Sequence, residues 1–263
     1  MNVMLASLGA LGCYWVGVLG QWFRIRGGPV RKEWVLGVTA LGAVCQTLAL
    51  YWVIHTSRGI NLGVLTIASL TMLMVTLIVL LSSVKKPADS LLILIVPVTM
   101  LSVMAAWLMP IEHIVWRPPS AMVAHVLISV LAYGILMVVA FQSLLLAYQE
   151  YQLRNHQQKR IIKALPPLQT MERLMFEFLV VGVILLTLSL ATGFLFLENM
   201  FAQHLIHKTM LSIVAWCIFT LLLIGHWLWG WRGLMAMRWI VAGFLLLVIS
   251  YFGWRLAIDL LVR

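Results

Sequence analysis

The chain has 263 residues, of which 63% are hydrophobic and 10% are charged, and its mean hydropathy is +1.04. This composition excludes an ordinary soluble domain, and several separate apolar runs of about 20 residues exclude a single membrane anchor. The formal charge of +10 does not indicate a nucleic-acid partner, because the basic residues lie in short connections between the apolar runs. We therefore predict an all-α fold, a polytopic helical bundle embedded in a membrane.

About eight apolar runs are predicted to cross the membrane as helices. They are 3–22, 34–54, 63–84, 90–109, 121–148, 174–197, 207–230 and 239–260. The first run is followed by Arg24 and Arg26 and has no basic segment before it, which is typical of a first span and not of a signal peptide. Eight spans place both termini on one side, and thirteen of the 18 Lys and Arg residues then fall on the other. The positive-inside rule makes that basic side cytoplasmic and predicts both termini outside, in the periplasm.

The longest connection, 150–173, is polar and basic and is predicted to lie in the cytoplasm. We expect the helix of the fifth span to continue into it until Pro166 and Pro167 end the helix. Two interpretations stay open: a solvated helical extension near anionic lipid headgroups, or a docking surface for a partner protein. The sequence contains no repeat and no separate soluble segment, so a single membrane-embedded domain over 1–263 is predicted.

His125 begins the fifth span, and Ser129 and Tyr133 follow it at i+4 and i+8 on the same helix face. Polar groups in a membrane helix usually turn toward the interior of the bundle, where a neutral imidazole can bind a metal or a haem iron. A histidine that is only hydrogen-bonded to a neighbouring helix is the alternative interpretation of His125.

Two further histidines mark the ends of the seventh span, which is predicted to be one helix within the stretch 207–233. His207 and His226 are nineteen residues apart, so about 28 Å separates them along the helix axis, and they cannot bind the same atom. His207 is either a polar residue that flanks the span or a partner of His125 in an outer site. His226 lies inside the span and is a functional candidate, although water or lipid headgroups could also satisfy it.

Arg255 lies in the eighth span with Asp259 at i+4, where the two side chains can pair on one helix face. The alternative is that Arg255 binds a carboxylate from the outer side, such as a haem propionate. The sequence contains no nucleophile with a base, no phosphate-binding loop and no carboxylate-rich metal site. No catalytic residue is therefore predicted.

Three segments carry a resemblance to a known family. They are AHVLISVLAYG around His125, the GWRG element (230–233) that follows His226, and PPLQTMERLMFEFLVVGVILLTLSLATGFLF at 166–196. The chain resembles the cytochrome c assembly (CcsA-like) membrane proteins, especially the small bacterial inner-membrane branch called YpjD. The resemblance implies a multi-pass protein of the bacterial inner (cytoplasmic) membrane with a CcsA-like core at about 60–263.

The resemblance also implies that the bundle handles haem. His125 and His226 are then candidate axial ligands of haem iron at opposite leaflets, and His207 and Arg255 are further candidates for binding the cofactor. The tryptophan-rich WGxxWxWD motif of the synthetases should precede the seventh span, but the chain has ENMFAQHLIHKT at 198–209. We therefore expect a protein that binds or passes haem through histidines and lacks synthetase activity.

Two other functions remain as alternatives. One is a non-haem accessory or regulatory membrane protein that docks a partner through the basic connection 150–173. The other is a small-solute transporter, which is less supported because only Pro97 lies well inside a span and no span is broken at mid-depth. The predicted partners are the lipid bilayer and haem-handling or other membrane proteins.

Overall fold

A computed structural model of the protein describes residues 2–56, 59–109, 111, 113–116, 118–155, 165–196 and 206–250, without the side chains of 196, 206 and 207. These residues form eight α-helices and a small antiparallel sheet. The helices are α1 (Asn2–Ile25), α2 (Lys32–Ile54), α3 (Val64–Lys85), α4 (Leu92–Leu108), α5 (Ser120–Arg154), α6 (Leu168–Phe196), α7 (Ile206–Trp229) and α8 (Leu234–Val248). A 3-10 turn at Asp89–Leu91 leads directly into α4.

Seven of these helices, with the 3-10 turn counted in α4, are long and apolar enough to cross a membrane. The eighth, α8, has 15 described residues, or about 22 Å of helix, which is shorter than a hydrocarbon core of about 30 Å. The predicted span 239–260 begins in this helix and continues beyond residue 250, outside the described residues. The protein is therefore a polytopic helical membrane protein, while the number of eight spans stays a prediction.

The two helices that flank the connection 150–173 are longer than the apolar runs that predict them. α5 ends at Arg154 instead of 148, and α6 begins at Leu168 instead of 174. The α5 helix continues into the connection, as predicted, but it ends at Arg154 and not at Pro166 and Pro167, which directly precede α6. Proline can begin a helix but cannot continue one. The polar ends of both helices need no hydrocarbon around them, so hydropathy alone does not detect them.

The chain forms two compact units. Unit 1 contains Met1–Pro118 and Tyr151–Pro167, and unit 2 contains Pro119–Glu150 and Leu168–Arg263. The single-domain organisation over 1–263 stays a prediction.

Unit 1 is built around a close contact between α1 and α2. A Cβ added at Gly42 of α2 would lie 2.8 Å from the ring of Tyr14 in α1, so only a glycine lets the two helices approach this closely. The buried Tyr14 hydroxyl donates to Gln46 Oε1 at 2.6 Å, and Gln46 Nε2 donates to the Ser69 carbonyl of α3 at 3.0 Å. One hydrogen-bond chain thus joins three helices inside the bundle.

A single carboxylate holds together one end of unit 1. Asp89 Oδ2 accepts a hydrogen bond from Arg24 Nη1 at 2.6 Å, and Lys32 Nζ lies 3.5 Å from Asp89 Oδ1. Gln21 Nε2 also donates to the Asp89 backbone carbonyl at 2.9 Å. The end of α1, the start of α2 and the 3-10 turn before α4 therefore meet at this residue.

The loops of unit 1 contain a three-stranded antiparallel sheet where the sequence predicts only connections. Its strands are β1 (His55–Thr56), β2 (Gly59–Asn61) and β3 (Ile114–Val115), in the order β1-β2-β3. His55 pairs with Ile60, which in turn pairs with Val115. Strands of two or three residues are too short to show an alternating pattern, so the prediction of a purely helical fold missed them.

Buried Asn61 ties this sheet to the neighbouring loop. Its Oδ1 accepts hydrogen bonds from the backbone N–H groups of Gly63 and His113, each at 3.0 Å. The side chains of His55 and His113 are exposed.

In unit 2, glycines again mark where helices touch. A Cβ at Gly182 of α6 would lie 2.7 Å from Leu136 of α5, and one at Gly243 of α8 would lie 2.8 Å from Phe219 of α7. Leu136 and Phe219 are completely buried. This packing brings α5 to α6 and α7 to α8, and it positions the polar residues described next.

Candidate functional site

The two candidate histidines of unit 2 contact opposite ends of α6. His125 lies against Thr192 near the end of this helix, and His226 lies against Phe176 near its beginning. Sixteen residues of helix separate Thr192 from Phe176, which corresponds to about 24 Å along the axis. The structure therefore places His125 and His226 at opposite ends of α6 and does not bring them together.

The half-buried ring of His125 is oriented by a hydroxyl group. Its Nδ1 lies 3.1 Å from Thr192 Oγ1, and that hydroxyl donates its own proton to the Leu188 carbonyl at 2.9 Å. The Ser189 carbonyl lies 3.0 Å from the same hydroxyl. When the single hydroxyl proton goes to either carbonyl, the hydroxyl accepts from His125 and Nδ1 carries the imidazole hydrogen. The lone pair of neutral His125 is then on Nε2.

The predicted polar face of α5 points toward neighbouring helices. Ser129 Oγ donates to the His125 carbonyl at 2.7 Å and lies 2.7 Å from Ser189 Oγ of α6. One turn further along, the Tyr133 hydroxyl lies 3.5 Å from Ser212 Oγ of α7. These contacts agree with the alternative interpretation of His125 as a residue hydrogen-bonded to a neighbouring helix.

His226 has a comparable arrangement at the other end of α6. Its Nδ1 lies 2.8 Å from the backbone carbonyl of Trp231. A carbonyl can only accept, so Nδ1 again carries the hydrogen and Nε2 the lone pair. The ring also stacks on buried Phe176, with the centroids 3.6 Å apart and the planes 13° from parallel.

The GWRG element folds the chain back toward His226. Gly230 ends α7 with φ of 68°, a conformation that glycine adopts without strain, and its N–H donates to the His226 carbonyl at 3.2 Å. Trp231 N–H donates to the Gly225 carbonyl at 3.1 Å. The Trp231 indole packs over Gly225, where any Cβ would overlap it. The glycine before the histidine is thus as necessary for the turn as the glycines after it.

A carboxylate from α6 holds the other end of the same element. Gly233, with φ of 67°, precedes α8, and its N–H donates to Glu172 Oε1 at 2.7 Å. Glu172 lies one helical turn before Phe176. Two residues of α6 therefore contact His226 and the turn that follows it.

A cavity of about 610 Å³ lies beside His226. This volume is within the range of small-molecule and cofactor sites. The cavity is lined by Gln169, Glu172, Arg173, Phe176, Glu177, Val180, His226, Trp227 and Arg232. Arg173 donates to Glu177 at 3.1 Å, and the Arg232 side chain is exposed. The walls thus combine an aromatic ring, an imidazole and charges of both signs.

The other two predicted site residues, His207 and Arg255, have side chains outside the described residues. His207 lies in the first turn of α7. Within the described part of the chain, no group of three or more His, Cys, Asp or Glu side chains could hold a metal ion.

The GWRG turn after an intramembrane histidine and the histidine that begins α5 agree with the family that the sequence resembles. The sequence profile described as "Cytochrome C assembly protein" matches residues 34–261. The chain belongs to the cytochrome c assembly protein family.

Several bacterial proteins are similar to this chain. The "Inner membrane protein YpjD" of Escherichia coli strain K12 is 34% identical over 238 residues, which cover 89% of each chain, and the protein of the same name in Escherichia coli O157:H7 has the same values. An "uncharacterized 28.8 kDa protein" of Azospirillum brasilense is 32% identical over 140 residues, 52% of each chain. No solved structure is significantly similar. The predicted YpjD branch is confirmed, as is a multi-pass protein of the bacterial inner membrane.

The sequence alone indicated both histidines as candidate site residues, but it did not indicate the residues that orient them. Glu172 reads as an acidic residue at a helix start, and Phe176 as one apolar residue of a span. The one available signal is the spacing of Glu172 and Phe176 at i and i+4, which places them on one face of α6. It does not reveal that this face meets His226.

Proposed function

We propose that this cytochrome c assembly family protein binds haem, or passes it across the membrane, through His125 and His226. The observation that carries the proposal is shared by the two residues: each has Nδ1 within hydrogen-bond distance of an oxygen atom of unit 2, and Nε2 keeps the lone pair when Nδ1 donates to that oxygen. Histidines that bind metals usually show this arrangement, because the second hydrogen bond selects the tautomer and makes the ligand nitrogen more basic.

The residues at the His226 end of α6 have the chemical groups that would hold a haem: an imidazole, an aromatic ring and a cation. His226 would bind the haem iron, Phe176 would keep the imidazole ring in place, and Arg232 on the rim of the cavity would pair with a propionate. When bound, haem would supply an iron whose potential depends on its axial ligands and on burial. The residues of the chain would bind and orient this group without reacting themselves.

The His125 end would be a second and separate haem position. Thr192 orients this imidazole, and His207 and Arg255 of the outer segments are proposed as a second ligand and as a propionate partner. About 24 Å of α6 separates the two ends, so each position needs its own second ligand or an open coordination site. The proposal includes no attachment of haem to a cytochrome, because the WGxxWxWD motif of the synthetases has no counterpart at 198–209.

Absorption spectroscopy tests this function. The full chain, purified from haem-replete cells, is expected to show a Soret band that becomes weaker in His125→Ala and in His226→Ala and disappears in the double variant. His55→Ala and His113→Ala are matched controls, because these exposed histidines lie in loops of unit 1, and both should retain the band. A colourless wild-type protein that also fails to bind added haem would reject the proposal.

The membrane topology is also part of the proposal. Eight spans with both termini in the periplasm are supported by seven apolar helices, by α8 as the start of another, and by the basic bias of the alternate connections. Alkaline phosphatase fused after Arg263 should be active, and the same enzyme inserted within 156–164 should be inactive. The reverse pattern would place the termini in the cytoplasm, and two active fusions would require a different number of spans.

A second candidate function is a non-haem accessory protein that docks a partner through the connection 150–173. It is favoured by the extension of α5 to Arg154, which presents Tyr151 and Leu153 with largely exposed side chains. If it is correct, deletion of 154–163 removes a co-purifying membrane protein while His125→Ala and His226→Ala retain it. If the deletion changes nothing that co-purifies, this candidate is wrong.

A further inference from the structure

We infer that Glu172 is a positioning residue for His226 and acts through the GWRG turn. This inference rests on the proposed role of His226 as a ligand. Glu172 and His226 bind the turn from two sides: the carboxylate accepts Gly233 N–H at 2.7 Å, and the imidazole donates to the Trp231 carbonyl at 2.8 Å. Only Arg232 stands between the two bonded turn residues.

The N–H groups of Gly230 and Trp231 bond to α7, whereas the N–H group of Gly233 bonds to α6. Both glycines of the turn have positive φ, near 68°, and Gly233, the N-cap residue of α8, has no side chain that could cap this helix. A helix start leaves backbone N–H groups without partners, and a carboxylate is a strong acceptor for them. Glu172, which comes from a different helix, provides this acceptor and thereby anchors the turn to α6.

The position of the turn decides the state of His226. The Trp231 carbonyl must stay within hydrogen-bond reach of Nδ1 for the hydrogen to remain there and for Nε2 to keep its lone pair. If the turn moves away, the two tautomers of the neutral ring become similar in free energy, and part of the population carries its hydrogen on Nε2. That form cannot bind a metal through Nε2.

The tautomer of His226 can be measured without haem. We would label the full chain with [15N]histidine, reconstitute it in lipid nanodiscs, and distinguish protonated from unprotonated ring nitrogens by 15N NMR. The signals of His226 are those that disappear in His226→Gln. Wild type is expected to show Nδ1–H alone, and Glu172→Ala and Glu172→Met are each expected to show a mixture of both tautomers.

Two further variants test whether Glu172 acts by positioning the turn and not through its negative charge or through the stability of the fold. Glu172→Gln retains an oxygen that accepts Gly233 N–H and should behave as wild type. Glu177→Ala removes a carboxylate that lines the same cavity and should also leave the tautomer unchanged. If both apolar variants of Glu172 fold and keep Nδ1–H alone, or if neither folds, Glu172 serves only the stability of the fold and the inference is wrong.

A second measurement uses the haem-loaded protein. There, Glu172→Ala should shift the Soret maximum and Glu172→Gln should restore it, whereas an unchanged maximum in Glu172→Ala counts against the inference. If wild type binds no haem, the proposed function fails, but the NMR experiment still decides the role of Glu172. The two proposals can therefore fail independently.

Discussion

The His226 ring lies parallel to the Phe176 ring at 3.6 Å between centroids, while its Nδ1 bonds to the Trp231 carbonyl at 2.8 Å. The stack restricts tilting of the imidazole, and the hydrogen bond restricts its rotation about χ2. A ligand held in this way loses little conformational entropy when it binds a metal, which is the physical benefit of a preorganised site.

Phe176→Leu should loosen this arrangement. The substitution removes the ring stack, which is worth about 0.5–1.5 kcal/mol, and leaves a smaller apolar side chain in a buried position. We expect the unfolding free energy in detergent to fall by about 1–2 kcal/mol. We also expect diethyl pyrocarbonate to modify His226 faster, as measured by mass spectrometry. Phe194→Leu, at a side chain that is 48% exposed, should change both quantities far less. Equal effects of the two variants would contradict a role for the stack.

Gly225→Ala should displace Trp231. The added methyl group would overlap the indole that packs over Gly225, and overpacking of this kind costs about 1–3 kcal/mol. Thermal unfolding should report this loss, and the tryptophan fluorescence spectrum should shift. Gly37→Ala in α2 is the matched control, because apart from its chain neighbours and the backbone of its own helix, no atom of the described residues lies within 4 Å of its added Cβ. If Gly225→Ala were as stable as Gly37→Ala, the packing of the Trp231 indole would not require a glycine at position 225.

Thr192→Val should release the His125 ring at the other end of α6. Valine has nearly the shape of threonine but cannot accept Nδ1–H, and an interhelical hydrogen bond in a membrane protein is worth about 0.6 kcal/mol on average. We expect a small loss of stability together with a mixed tautomer of His125 in the 15N spectrum. Thr192→Ser retains the hydroxyl and should restore the wild-type signals. A mixed tautomer in Thr192→Ser as well would show that the hydroxyl does not select it.

Gln46→Leu should destabilise unit 1. It removes the acceptor of the buried Tyr14 hydroxyl and the donor to Ser69, and an unsatisfied buried polar group costs about 1–3 kcal/mol. The double variant Tyr14→Phe/Gln46→Leu should recover part of this loss, because no phenolic hydroxyl is then left without a partner. Chemical unfolding of the four proteins forms a double-mutant cycle, and strictly additive effects would show that the two side chains are not coupled.

The sequence predicted the positions of the helices well and their polar ends less well. Seven predicted spans coincide with helices that can cross a membrane, because burial in hydrocarbon requires a continuous apolar run that hydropathy detects directly. α5 and α6 extend six residues beyond the predicted runs, since their ends are polar. The short sheet of unit 1 was missed, because its strands depend on backbone pairing between loops distant in sequence.

The candidate site was predicted in part for a similar reason. His125 and His226 are conspicuous as polar residues in apolar runs, and the family resemblance that they carry is confirmed. Their role as haem ligands stays a proposal. Glu172, Phe176 and Gly225 were not identified, because a glutamate at a helix start, a phenylalanine and a glycine in spans are ordinary residues in those positions.

A multi-pass helical membrane protein of the cytochrome c assembly family can be predicted from the amino-acid sequence alone, because apolar run length and local motifs are properties of short stretches of chain. The residues that orient the two histidines become visible only in the packed bundle. The bonds concerned join His125 to Thr192, 67 residues away, and Glu172 to Gly233, 61 residues away. Contacts at such separations depend on how the helices pack against α6, and no local pattern in the sequence reports that packing.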